Sequence, residues 1–155
     1  MTTQEIAELE SEYNVGKMEW IRVPLAQKIQ KHSEMILDEA AKLKKKHPSL
    51  NDDACLEIAV NHFFIQHKTV DPAQEIKHQL EEINLEIYYR QTEAGRELDH
   101  EEIIKQWRRW HSEFWRDHNI MRIIYFFEKN KQTYLDILKR LIPGSLEAYN
   151  PVKQS

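Results

Sequence analysis

Residues 71–92 read DPAQEIKHQLEEINLEIYYRQT, and their pattern decides the fold class. Ala73, Ile76, Leu80, Ile83 and Ile87 recur at three- and four-residue steps, the spacing of one face of an α-helix, with polar residues between them. Asp71 is suited to an N-cap and Pro72 to the first helical position, where its missing N–H would be unpaired in any case. The predicted helix covers 72–92, and Gly95 marks the turn after it.

The same pattern extends both ways. Toward the N-terminus, Asn51 or Ser49 caps a helix over 51–67, with Asp52 and Asp53 where the helix dipole favours negative charge. Leu56, Ala59, Val60, Phe63 and Phe64 form its stripe, and Cys55, Ile58 and Ile65 extend the apolar character around the circumference, as in a central or partner-shared helix. A helix over 24–47 is predicted to start at Pro24, carry Leu25, Ile29, Ile36, Ala40 and Leu43, and stop at Pro48. A short helix over 3–14 precedes Gly16. Toward the C-terminus, Asp99 and Glu102 resemble a capping box for a helix over 99–129, either unbroken or interrupted near 117–119. A last helix covers 131–142 and ends before Pro143 and Gly144.

The expectation is therefore an all-α, single-domain bundle of five to six helices spanning 1–155, with 1–20 and 145–155 peripheral or flexible. With 155 residues the chain can bury one sizeable core without disulfides. The single Cys55 has no internal partner, and the polar start MTTQEIAELESE has no apolar leader, which fits a cytoplasmic setting. No apolar run approaches the ~20 residues that cross a bilayer, so no membrane is expected.

The net charge of −4 is unevenly spread. Residues 48–98 carry ten acidic and four basic side chains, whereas 24–47 carry three and six, and 99–141 seven and nine. A nucleic-acid surface would thus be a local patch. The strongest candidate is 107–127, WRRWHSEFWRDHNIMRIIYFF, because arginine and aromatic rings concentrate at the centres of protein interfaces and in nucleic-acid grooves. On an unbroken helix Ile103, Trp107, Trp110, Phe114, Met121 and Ile124 form the buried seam, leaving Arg108, Arg109, Trp115, Arg116 and Arg122 at its edges as candidate binding residues. Lys44, Lys45 and Lys46 form a second basic cluster, in which complementing the helix dipole is sufficient reason for most of the charge.

Signals for catalysis are weak. The chain has no G-x-S-x-G, P-loop or dinucleotide fingerprint, and Cys55 lies in an apolar helix that disfavours its thiolate. Glu-x-x-His occurs at Glu75–His78 and Glu97–His100, the pattern by which helical bundles supply di-iron ligands, but His78 projects away from the apolar stripe. His100, His111 and His118 share one face of an unbroken helix, which makes a metal site on them, with Glu97 or a carboxylate from another helix, the alternative to a binding module. No cofactor is implied. In general plan, a motif-poor helical bundle with one basic and aromatic helix is similar to the small helical subunits of multi-subunit CRISPR effector complexes. That likeness of architecture, carried by no family-defining motif, implies a non-enzymatic subunit that lies along nucleic acid. A homo-oligomeric protein–protein adaptor is the remaining expectation.

Overall fold

The computed structural model describes residues 2–67 and 72–149. They form seven helices and no strand: α1 (Thr3–Asn14), α2 (Glu19–Lys31), α3 (Ser33–Lys46), α4 (Asp52–His67), α5 (Pro72–Ala94), α6 (His100–Trp110) and α7 (Ser112–Lys139). The all-helical reading holds, while the count and several boundaries differ from expectation.

Local chemistry accounts for the ends. Thr2 caps α1 in a reciprocal capping box: its Oγ1 accepts the Glu5 N–H at 3.1 Å, and the Glu5 carboxylate accepts the Thr2 N–H at 2.9 Å. Asn51 Oδ1 accepts the Ala54 N–H at 2.8 Å ahead of α4. Asp99 accepts the Glu101 N–H, so α6 has a simple side-chain cap where a box with Glu102 was expected. The proposed Asp71 cap lies outside the described residues. Gly95, at φ +69°, closes α5 in the left-handed region open to glycine.

Three boundaries are corrected. The 24–47 helix is two helices: α2 starts at Glu19 with Pro24 inside it, and His32 separates α2 from α3. The 99–129 helix breaks at His111, earlier than 117–119. No stop follows Lys129, so α7 runs through to Lys139 and absorbs the expected last helix.

Two apolar clusters hold the chain together. The larger joins α1, α2, α3, α4 and α7 through Leu9, Ile21, Ile29, Ile36, Leu56, Val60, Phe126 and Leu138. Phe64 and Phe127 stack at 3.9 Å between ring centroids, and Tyr134 continues the stack at 5.5 Å from Phe127. Leu9 and Met18 are fully buried here, so α1 and the turn after it contribute to the core, where 1–20 was expected to be peripheral. Leu146 and Tyr149 are buried as well; the Leu146 N–H reaches Asp52 Oδ2 at 3.2 Å and the Tyr149 hydroxyl donates to Asp38 Oδ1 at 3.2 Å. The expected loose tail is therefore docked as far as Tyr149, and positions 150–155 lie outside the described residues.

The smaller cluster is Ile83 and Ile87 of α5 with Ile103 and Trp107 of α6, flanked by Leu98, Ile104 and Trp115. Only Ile83 and Ile87 of the five stripe residues are buried, because Ala73, Ile76 and Leu80 are exposed. His78, which faces away from that stripe, stacks on Trp20 of α2 at 4.5 Å and pairs with Glu81. No helix among the described residues is long and apolar enough to cross a membrane.

Candidate functional site

The break at His111 determines what the aromatic and basic segment presents. His111 has φ −122° and ψ −20°, and the Ser112 hydroxyl donates back to the Arg108 carbonyl, a local bond that bends helices. The bend resets the phase of every side chain beyond it relative to an unbroken helix. Trp107 is buried as expected, but Trp110 is 61% and Phe114 76% exposed, so the seam assigned to them is wrong. Trp115, expected at the edge, turns inward against Trp107 with ring centroids 6.4 Å apart. Trp110 and Phe114 are thus the exposed rings that periodicity alone missed; the available signal was Ser112 followed by Glu113, an ordinary helix start inside an apparently continuous pattern.

The arginines divide into two groups. Arg108, Arg109 and Arg116 are exposed, and among the described residues no carboxylate lies within ion-pair distance of them. The Arg109 guanidinium sits 5.0 Å over the Trp110 ring. Residues 105–116 carry four cations, with Lys105, against the single carboxylate of Glu113. Arg122 is committed elsewhere, with Nε 2.8 Å from Glu12 Oε2 and Nη2 3.0 Å from Oε1. That side chain is 13% exposed and ties α7 to α1. His118 Nε2 lies 3.0 Å from the same carboxylate. Burial acts to raise the Glu12 pKa, but the hydrogen bonds from Arg122 and His118 prevail and hold it at about 2.

Lys44 is also structural. Its Nζ donates to the Leu50 and Pro48 carbonyls and lies 3.8 Å from Asp52 Oδ1, binding the turn after α3 to the start of α4. Lys45 and Lys46 are exposed at the end of α3, which packs on α4 and α2, whereas α6 packs on α5 and α7. The lysine cluster and the elbow occupy different elements.

The three histidines of the metal alternative are dispersed by the bend. His100 Nε2 lies 2.9 Å from Gln91 Oε1, His111 stands exposed at the elbow, and His118 is held by Glu12. Among the described residues no three His, Cys, Asp or Glu side chains converge on a point that could hold a metal ion. Cys55 is buried in α4, and that burial pushes its thiol pKa up, which disfavours a nucleophilic thiolate. No protein-family model, no curated protein and no solved structure matches the chain.

Proposed function

We propose that this chain is a non-enzymatic helical subunit of a larger nucleoprotein assembly, and that its α6–α7 elbow contacts a single strand of nucleic acid. The observation that carries this is the set of three guanidinium groups without carboxylate partners, Arg108, Arg109 and Arg116, beside the exposed rings of Trp110 and Phe114. Guanidinium groups neutralise phosphates, and aromatic rings stack unpaired bases at about 1–3 kcal/mol each. A duplex offers its phosphates but not its base faces, so the rings favour a single strand. The acidic charge of 48–98 keeps the contact local.

The test is fluorescence anisotropy of a labelled single-stranded oligonucleotide as salt rises from about 50 to about 200 mM. Each phosphate contact on a single strand contributes about 0.7 to the log–log slope, so Arg108→Ala with Arg109→Ala flattens it by about 1.4. Trp110→Ala with Phe114→Ala weakens binding while leaving the slope in place. Absence of binding at low salt, or binding indifferent to salt, rules the proposal out.

A second reading, a protein–protein adaptor, draws on a different surface. Leu80, Leu85, Tyr88 and Tyr89 of α5 are exposed, as are Ile58 and Ile65 of α4. Light scattering over a concentration series decides its self-associating form, since a constant monomer mass removes it.

A further inference from the structure

One face of α5 is fixed against the hairpin and the opposite face is bare. Ile83 and Ile87 are buried against α6, and Arg90 secures the pairing by bonding Glu86 Oε1 through Nε at 2.8 Å and Gln106 Oε1 of α6 through Nη1. At about 100° per residue, Leu85, Tyr88 and Tyr89 then point away from α6. All three are exposed, the two tyrosines by 61% and 62%, and their rings meet edge to face at 5.7 Å. Glu81 and Glu82 stand one turn before this patch and Glu93 one turn after it. Among the described residues neither Glu82 nor Glu93 has a cation within ion-pair distance, and α5 carries five glutamates against Lys77 and Arg90. An exposed tyrosine pair in an acidic frame has the composition of a protein interface.

Charge decides what covers the patch. A two-fold contact of the patch with itself brings two acidic surfaces together, which like-charge repulsion disfavours. The complement is a cationic surface with rings of its own. The α6–α7 elbow is such a surface, since Arg108, Arg109 and Arg116 have no carboxylate partner among the described residues and stand beside the exposed Trp110 and Phe114. The patch faces away from α6, so it does not meet the elbow of its own copy. We propose that the patch docks the elbow of a second copy of this chain, guanidinium groups on the glutamates and rings against rings, so that copies join head to tail. The contact rests on the adaptor reading of α5 and supplies its mate. It also regulates the strand site, because a neighbouring copy and a nucleic-acid strand require the same guanidinium groups and exclude each other.

Sedimentation velocity of the full chain over a concentration series tests the contact. At about 50 mM salt the mean mass rises with concentration, and at about 500 mM it falls back toward one copy as the charges are screened. Arg108→Glu with Arg109→Glu reverses the elbow, and Glu82→Lys with Glu93→Lys reverses the patch. Each pair, with its circular dichroism unchanged, raises the dissociation constant at least about tenfold. Mixing the two variants restores association, because the native patch of one meets the native elbow of the other. A wild-type mass of one copy at every concentration and salt overturns the contact together with the self-associating adaptor. Association that survives either reversal, or a mixture that stays monomeric, overturns the contact and spares the adaptor. Excess single-stranded oligonucleotide returns wild-type assemblies to single copies, and assemblies that persist with the strand bound overturn the shared site. A chain that binds no oligonucleotide yet associates in the mixture upholds the contact and fails the strand reading alone.

Discussion

Glu12 is the side chain on which the most structure converges, since one carboxylate serves Arg122 and His118 and thereby joins α1 to α7. Its folded pKa of about 2 lies below the ordinary 4.5, so the stabilisation is fully present above about 4.5 and is lost as pH falls toward 2. Its size is roughly 2 kcal/mol once partial solvent screening is allowed for. Glu12→Gln is therefore expected to lower urea-unfolding stability by about that much at pH 7, with the deficit shrinking below pH 4.5; a deficit that stays constant down to pH 2 contradicts the assignment. Tyr134 offers the opposite case. Its hydroxyl is buried with no partner, and burial pushes its pKa up, so the oxygen is a cost to the folded state. Tyr134→Phe should leave stability unchanged or raise it by up to about 1 kcal/mol in the same assay. The Glu12 pairing was not legible beforehand, because Glu12 and Arg122 meet across 110 residues of chain.

The elements were largely legible as helices, because a 3.6-residue period survives in sequence whatever the helix later packs against. The phase across a break was not. A single residue at His111 sends Phe114 to solvent and Trp115 inward, reversing the roles that a continuous projection assigns them, and Trp110, the last residue of α6, is exposed as well. In the α3–α4 pair, Ala40, Ala41, Cys55 and Ala59 are buried small residues that let two backbones approach closely. That closeness leaves no room for a larger side chain. Ala59→Leu is expected to cost about 1–3 kcal/mol and lower the melting temperature by about 2–4 °C per kcal/mol, followed by circular dichroism. A neutral result would mean that the two helices can separate without penalty.

At the scale of the whole molecule, the two apolar clusters predict two stabilities. The larger cluster spans five helices, whereas the α5–α6 hairpin depends on four buried residues and on edge contacts such as Trp20 with His78 and Glu75 with Asn119. Trp107→Ala removes the largest of those four. Amide hydrogen exchange should then show α5 and α6 losing protection while α3, α4 and the second half of α7 keep theirs. Simultaneous loss everywhere would show one cooperative unit. The sequence by itself determined helix content, the approximate extent of α1, α4 and α5, and the concentration of arginine and aromatic residues in one segment. Those properties follow from local periodicity, capping and composition, which need no knowledge of neighbours. Tertiary structure alone decided which arginines remain without a carboxylate partner, which rings face solvent, and that α1 helps form the core. Burial and ion pairing depend on what another helix brings to the same place, and a linear pattern contains no record of that meeting.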